Sequence, residues 1–95
     1  MSAYVIADII VNDKEQYEDY KKLAPPAIAS FGGKYLARGG KSEKLEGNWE
    51  PDRVVILEFA NIERAKEWLD SKEYQKARAL RHKTASSNII VVEAL

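Results

Sequence analysis

Four stretches of the chain are apolar, rich in β-branched residues and free of a helical period, which predicts four β-strands. They cover residues 3–11, 34–38, 54–59 and 88–93. Alternate positions of a strand point to opposite faces of a sheet, so each stretch divides into two sets of side chains. In the first, third and fourth stretches both sets are largely apolar, which is typical of strands buried on both faces.

Between these strands, apolar residues recur every three or four positions, which predicts amphipathic helices. Pro25 and Pro26 interrupt the first helical segment. Because proline removes a helical hydrogen bond, we expect this helix to break near Leu23 and to restart. The second segment is expected to begin after a cap at Asn61, and Ser71 is placed to cap a further helical piece.

The resulting order, β-α-β-β-α-β, is the split βαβ or ferredoxin-like plan of an α+β protein. The 95 residues suffice for one such domain with one modest core. Right-handed crossovers predict a four-stranded, partly antiparallel sheet in which strands one and three lie side by side and parallel, with the helices on one face. A bulge is expected at the glycines of residues 39–40, after which residues 41–46 are expected to continue strand two.

The second face of the sheet needs a cover that the helices cannot give, because both helical segments lie on the first face. Its main aliphatic members are Ile6, Ile10, Ile56, Ile90 and Val92. A second copy of the chain is the simplest cover, since two-fold homodimers are the commonest oligomers. We therefore predict a homodimer with its two sheets face to face; a monomer with a modest apolar patch is the alternative.

Two acids interrupt the second face near the ends of the central strands, Asp8 in the first and Glu58 in the third. Parallel strands would place the two carboxylates at a similar level, and a bulge would bring Arg38 opposite the Glu58 region. Buried charges are costly unless paired, so we expect Arg38 to pair with one acid or both. Such a cluster is either a structural ion pair or a ligand site in which one carboxyl group stays protonated for acid–base chemistry.

The amino-acid composition argues against several classes of binding partner. Fifteen basic and fifteen acidic residues cancel, which argues against a dedicated nucleic-acid binder. Without cysteine there is no disulfide or thiolate site, and a lone His82 makes a zinc site improbable. No stretch approaches the ~20 apolar residues of a membrane span, and no signal peptide is expected. These features favour a cytoplasmic protein without a nucleic-acid or membrane partner.

Several motifs spread along the chain resemble one family of small bacterial proteins. The motifs are YVIADI, FGGKYLARGG, LEGNWEPDRVVILEF, EYQKARALR and the final VVE. Together they resemble the domain-of-unknown-function 1330 family over essentially the whole chain. The resemblance implies a ferredoxin-like fold and a dimeric α/β barrel formed by the two sheets. It implies no particular reaction, and we expect no cofactor and no metal.

The same resemblance supports some of the candidate site residues, because Arg38, Trp49, Arg53, Glu58 and Arg81 fall on motif positions that look like the family's recurring polar residues. The candidate ligand-binding residues are Tyr4, Trp49, Arg53 and Arg81. The candidate catalytic residues are Asp8, Glu58 and Arg38. Trp49 lies in a predicted turn, where an aromatic side chain either packs across a dimer or covers a pocket.

Three functions remain open. The first is a homodimeric protein that binds a small polar or aromatic molecule in a pocket between the sheet and the partner subunit. The second is a cofactor-independent enzyme, such as a monooxygenase or isomerase, with Asp8 or Glu58 as the acid–base group and Arg38 as the anion partner. The third is a structural dimer without a ligand. An interior cavity on the order of several hundred Å³, with convergent polar groups, would count against the third function.

Overall fold

Seven elements follow one another along the chain in the computed structural model, which describes residues 1–95. The strands are β1 (Ala3–Val11), β2 (Lys34–Arg38), β3 (Arg53–Phe59) and β4 (Ala85–Glu93). The helices are α1 (Lys14–Ser30), α2 (Ile62–Asp70) and α3 (Lys72–Thr84). The predicted order of strands and helical segments is confirmed, and the second helical segment is divided into α2 and α3.

The four strands form one sheet in the order β2-β3-β1-β4, in which every neighbouring pair is antiparallel. The ferredoxin-like α+β fold is confirmed, but the prediction that the two central strands run parallel is wrong. The crossover through α1 leaves β1 and β2 parallel with a gap between them, and the chain reverses after β2 before β3 fills that gap. Tyr4 consequently pairs with Glu58, whereas Asp8 pairs with Val54.

Strand β2 contains an irregularity that changes the direction of its last side chain. Its pairing with β3 shifts between Tyr35 and Ala37, so Leu36 is an extra residue in the strand. A bulge of this kind interrupts the simple alternation of side chains. Arg38 therefore pairs with Val55 and lies on the same face as Tyr35. The prediction that Arg38 lies opposite the Glu58 region is therefore wrong.

The segment between β2 and β3, residues 39–52, is a largely exposed loop without regular structure. The predicted continuation of β2 through residues 41–46 is therefore wrong, and the bulge lies at Leu36 rather than at the two glycines. Gly39 has a φ of 70°, the left-handed conformation that turns the chain away from the sheet and that side chains disfavour.

Helix α1 runs without a break through Pro25 and Pro26, so the predicted interruption near Leu23 is wrong. Each proline removes one helical hydrogen bond. Burial outweighs this loss, because Ala24 and Ala27 pack into the core on either side of the prolines. In proteins most helical stability comes from such packing rather than from propensity.

The three helices cover one face of the sheet, called here the helix face, and the core lies between them. Sixteen buried apolar side chains form one cluster there. Its centre is aromatic: the ring centroid of Trp68 lies 4.4 Å from that of Tyr74 and 5.3 Å from that of Phe59. Asn61 and Ser71 each accept a hydrogen bond from a first-turn N–H of their helices, which confirms both predicted caps. None of the helices has the length and apolar character that a membrane crossing requires.

The opposite face of the sheet, called here the open face, carries no helix. Its residues include the even-numbered positions of β1 together with their cross-strand neighbours in β3 and β4. Several large aliphatic side chains remain exposed to solvent on this face: Ile10 (50%), Ile90 (61%) and Val92 (45%). The alternation of side chains thus predicted correctly which apolar set the helices would leave uncovered.

Candidate functional site

The two acids lie on the open face but at opposite ends of the sheet. Glu58 pairs with Tyr4, and Asp8 lies four residues further along β1. At about 3.4 Å per residue, this spacing separates the acids by roughly 14 Å along the strands. The two carboxylates of the predicted cluster do not come together, because antiparallel strands have their C-terminal ends at opposite ends of the sheet.

Asp8 holds the long loop of residues 39–52 against the open face. Its Oδ2 accepts a 2.9 Å hydrogen bond from Nε1 of Trp49, and its Oδ1 accepts a 3.1 Å hydrogen bond from the backbone N–H of Asp52. Trp49 nevertheless remains 62% exposed. Both carboxylate oxygens of Asp8 thus have partners within the loop, which gives this acid a structural role in the single chain.

Glu58 lies at the other end of the open face, and its carboxylate makes fewer contacts within the chain than that of Asp8. Its cross-strand neighbours are Tyr4 in β1 and Lys34 in β2. The carboxylate forms no side-chain hydrogen bond and no ion pair within the chain. Glu58 and Tyr4 therefore lie together, but at a distance from the remaining predicted site residues.

Arg38 lies on the helix face instead of beside Glu58. Its Nη2 donates a 2.7 Å hydrogen bond to the backbone carbonyl of Lys21 in α1. The guanidinium carbon lies 4.7 Å from the centroid of the Tyr35 ring, over its face. The bulge at Leu36 explains this position, since it brings Arg38 to the side of the sheet that α1 covers.

An interior cavity of about 30 Å³ lies between the sheet, α1 and α3. Its walls are apolar and aromatic, and polar groups reach it from both helices and from two strands. The polar lining residues are Tyr17, Tyr20, Lys21, Tyr35, Arg38, Arg53, Tyr74 and Arg81. Three predicted site residues, Arg38, Arg53 and Arg81, therefore meet in one place. Tyr4, Asp8, Trp49 and Glu58 do not contribute to it.

The cavity is lined by four cationic side chains and by no aspartate or glutamate. Lys21 forms an ion pair with Glu18, at 2.8 Å, whereas none of the three arginines forms an ion pair with a carboxylate. Because the chain carries equal numbers of acidic and basic residues, this segregation is local and does not reflect a basic excess.

Arg81 is the most deeply placed of these cations, with 4% of its surface exposed. Its only hydrogen bond runs from Nε to the hydroxyl oxygen of Tyr74, at 3.4 Å. Burying an arginine without a counter-charge costs several kcal/mol, even after relaxation of the surroundings. A long hydrogen bond to a neutral phenol offsets little of that cost, so the cavity holds a positive charge without a counter-charge in the chain.

The tyrosines of the cavity supply neutral hydrogen-bonding groups. The hydroxyl groups of Tyr20 and Tyr74 form a 2.6 Å hydrogen bond, in which either can be the donor. Burial, with a smaller contribution from Tyr74, raises the pKa of Tyr20 far above its ordinary value. Burial also raises the pKa of Tyr17 and of Tyr35, although nearby arginines oppose the shift. These phenols therefore remain protonated at neutral pH and can donate hydrogen bonds.

Two lining residues keep buried donors without any partner in the protein, Nε of Arg53 and Nε1 of Trp68. The Arg53 guanidinium also lies over the Tyr17 ring, 5.5 Å from its centroid. A buried donor that has lost its water and gained no acceptor costs about 1–3 kcal/mol. Buried donors without a partner in the chain call for an explanation, and an acceptor from outside the chain is one.

The cavity adjoins a wider surface groove of about 530 Å³, with which it shares Tyr17, Lys21 and Arg53. The groove also has Lys14, Glu15, Glu18, Asp52 and Gly39 in its walls. A Cβ atom added at Gly39 would overlap the guanidinium group of Arg53. The glycine therefore leaves room for Arg53 at the boundary between groove and cavity. No group of His, Cys, Asp or Glu side chains is arranged to hold a metal ion.

Sequence reasoning missed five polar residues of the cavity: Tyr17, Tyr20, Lys21, Tyr35 and Tyr74. Tyr17 and Tyr20 both lie on the buried face of α1, as expected from the helical period, but that period treats them only as apolar residues. A signal was present in α3, where Tyr74 and Arg81 stand seven residues apart and share the buried face. An arginine at a core position indicates either a buried ion pair or an anion site.

The chain belongs to the family described as domain of unknown function DUF1330, whose model matches residues 2–95. A crystal structure of a protein of unknown function from Rhodopseudomonas palustris is 20% identical, with a TM-score of 0.79, over 99% of this chain and 82% of that one. SnoaB from Streptomyces nogalater, described as a cofactor-independent oxygenase, is 9% identical, with a TM-score of 0.69, over 99% and 93%.

A third solved structure, from Jannaschia sp. CCS1, is described as a dimeric ferredoxin-like protein of unknown function. It is 8% identical, with a TM-score of 0.69, and the match covers 99% of this chain and 100% of that one. No curated protein matches the chain. At these identities the likeness shows the fold, which agrees with the predicted family and fold class.

Proposed function

We propose that this DUF1330 protein binds a small organic anion, with the anionic group in the cavity between the helices and the sheet. The observation that carries the proposal is the lining of this cavity, where three arginines without an ion-pair partner converge with Lys21 and no aspartate or glutamate is among the lining residues. The site of binding thus differs from the expected pocket between the sheet and a partner subunit, and Asp8 and Glu58 have no part in it.

The charge of the ligand follows from the arginines. Arg81 is nearly fully buried, and neither Arg81, Arg53 nor Arg38 has an anionic partner in the chain. A carboxylate matches the planar donor fork of a guanidinium, and bidentate pairing of this kind is among the strongest charge-assisted contacts in proteins. The unpartnered Nε of Arg53 provides a further donor for the same group.

The organic part of the ligand follows from the remaining walls. Trp68 and four tyrosines surround the charged groups, and aliphatic side chains of the sheet complete the lining. Tyr17 lines both the cavity and the groove, and its aromatic face favours a planar, conjugated ligand body, while the protonated phenols of the cavity can donate to the oxygen atoms of the anionic group. A small aromatic or conjugated carboxylate meets both requirements.

The volumes of the cavity and of the adjoining groove determine which part of the ligand each can hold. A cavity of about 30 Å³ has room for a carboxylate-sized group but not for a whole organic molecule. The adjoining groove of about 530 Å³ lies in the range of ordinary ligand sites. The carboxylate accordingly enters the cavity, while the body of the ligand lies in the groove beside Tyr17 and Arg53.

The proposal includes a homodimer formed through the open face. The exposed aliphatic side chains Ile10, Ile90 and Val92 support it, since a contiguous apolar face without a cover is typical of an interface. The open face also has a shallow hollow of about 220 Å³ beside Asp8 and Trp49. Because the Asp8 carboxylate is engaged by the loop, this hollow offers little to a polar ligand.

A second candidate function is a cofactor-independent enzyme that uses the same cavity. The Tyr20–Tyr74 hydroxyl pair beside Arg81 supports it, since a phenol and a guanidinium together can stabilise a developing oxyanion. The structural likeness to SnoaB, described as a cofactor-independent oxygenase, points in the same direction at the level of fold alone. Asp8 and Glu58 lie outside the cavity, so acid–base chemistry there would fall to the tyrosines or to the substrate.

Titration with benzoate and with benzamide, followed by thermal unfolding and calorimetry, tests the proposed function. The two probes have nearly the same shape, but only benzoate carries the negative charge. We expect benzoate to raise Tm in a concentration-dependent way, by ligand linkage, and benzamide to leave it unchanged. Equal effects of both probes, or binding of benzamide alone, would contradict an anion site.

A further inference from the structure

Helix α1 contains a local defect at the point where it borders the cavity. Pro25 and Pro26 stand in its interior, and neither has a backbone N–H to donate. In a regular helix the N–H of residue 25 would bond to the carbonyl of Lys21, and the N–H of residue 26 to the carbonyl of Lys22. Two carbonyl groups of α1 have therefore lost their helical donors.

The two freed carbonyls have different environments. Lys21 is half-buried and lines both the cavity and the groove, whereas Lys22 is exposed to solvent. The carbonyl of Lys21 accepts the 2.7 Å hydrogen bond from Nη2 of Arg38, and no side chain donates to the carbonyl of Lys22. Pro25 thus leaves the Lys21 carbonyl without a helical donor, and Arg38 is the group that donates to it instead.

A second, independent feature brings Arg38 to that acceptor. The bulge at Leu36 places Arg38 on the helix face, where its guanidinium stacks over Tyr35. The carbonyl of Lys21 accepts a hydrogen bond from Nη2 of Arg38, and the Tyr35 ring packs against one face of the guanidinium group. The remaining N–H donors of Arg38 are left without a partner in the chain. A long side chain at the edge of the sheet is thereby fixed at the wall of the cavity.

We propose that Pro25 is a positioning residue of the anion site. By removing the helical donor to the Lys21 carbonyl, it creates the acceptor that orders Arg38 for an incoming anion. The consequence for affinity rests on the proposed function, whereas the ordering of Arg38 is a property of the free protein. The defect in α1 is thus retained for the site, at the expense of helix stability.

Pro25→Ala tests this proposal, with Pro26→Ala as its matched control. Both substitutions restore one helical N–H and raise helix propensity equally, but only Pro25→Ala supplies a competing donor to the carbonyl that Arg38 uses. We expect Pro25→Ala to raise the Kd for benzoate by about tenfold, or ~1.4 kcal/mol, and Pro26→Ala to change it by less than about twofold. Tm of the free protein should not fall in either variant.

A double-mutant cycle separates positioning from a general effect on the fold. In an Arg38→Met background, Pro25→Ala should no longer change the Kd for benzoate, because the side chain that it releases is absent. A loss of affinity that persists in this background would overturn the proposal, as would equal losses in Pro25→Ala and Pro26→Ala.

The ordering of Arg38 is measured without any ligand, by ¹⁵N relaxation and hydrogen exchange of its guanidinium group. We expect an ordered, protected group in the wild-type protein and in Pro26→Ala, and a mobile, rapidly exchanging group in Pro25→Ala. The same order in both variants would overturn the proposal even if benzoate binds. If benzoate fails to bind the wild-type protein, the proposed function fails for this probe, while the NMR comparison still decides the role of Pro25.

Discussion

Both faces of the sheet carry charged residues among aliphatic ones, but the charged groups have different partners on the two faces. On the open face, Asp8 is fully engaged by a loop and Glu58 stands beside a cross-strand lysine. On the helix face, Arg53 and Arg81 lie among aromatic rings, and neither forms an ion pair with a carboxylate of the chain. In the sequence, the conspicuous charge is an acid within an apolar strand. In the structure, the charge that points to a ligand site is the one without an oppositely charged partner in the chain.

The largest expected contrast between the faces concerns stability. Leu57 on the helix face is 3% exposed, so Leu57→Ala should lower the free energy of unfolding by about 2–5 kcal/mol at any protein concentration. Ile90 on the open face is 61% exposed, so Ile90→Ala should have an effect only where the chain is dimeric. Urea unfolding at several protein concentrations measures both.

Sedimentation equilibrium of Ile90→Asp provides the companion measurement. If the open face is the dimer interface, this substitution should yield monomers that retain the far-ultraviolet circular dichroism of the wild-type protein. A wild-type protein that is monomeric at all concentrations, with Ile90→Ala neutral throughout, would contradict the proposed dimer.

Asp8 offers the next contrast, because its role is confined to the loop. Asp8→Ala removes two hydrogen bonds to a carboxylate and should lower the free energy of unfolding by about 1–2 kcal/mol. Asp52→Ala is the matched control, since Asp52 contributes only its backbone N–H to this contact. Hydrogen exchange of the Trp49 indole should accelerate in Asp8→Ala and stay unchanged in the control. Unchanged exchange in both variants would contradict the anchoring role.

The element order, the caps and the division of the strands into two faces could be predicted from the sequence, because each depends on local periodicity or on side-chain-to-backbone contacts. The site could not. Predicting the site required the relative direction of β1 and β3 and the position of one bulge. The predictions of this direction and of this position were both wrong. A single extra residue at Leu36 turned Arg38 from the open face to the helix face. Pairing register depends on the whole sheet, so no local pattern fixed it.

The buried tyrosines of the helix face predict a dependence of stability on alkaline pH. The pKa of Tyr20 in the folded protein is raised above its ordinary value of 10.0, mainly by burial. Its contribution is therefore complete below about pH 10 and is lost as pH rises toward the folded-state pKa, with a slope of about 1.4 kcal/mol per pH unit. Tyr20→Phe should make the alkaline decline shallower in urea unfolding between about pH 9 and pH 11. An unchanged slope would contradict burial of a protonated phenol.

Glu58 should give the smallest effect. Because it meets Lys34 and Tyr4 only as cross-strand neighbours, Glu58→Gln should change the free energy of unfolding by about 0.5 kcal/mol or less. Urea unfolding at low protein concentration, where the chain is monomeric, measures this change. A loss of 3–5 kcal/mol, the size expected for a broken buried ion pair, would show that Glu58 has a charged partner after all.

The central claim is that the fold keeps a buried positive charge on the helix face for an anion from outside the chain. Arg81→Met tests it most directly, by urea unfolding and benzoate titration of the same sample. Arg81 has no carboxylate to leave stranded, so the free energy of unfolding should hold or rise by about 1–4 kcal/mol, while benzoate binding should be lost. Marked destabilisation together with unchanged benzoate binding would show that Arg81 is structural, and would contradict the claim.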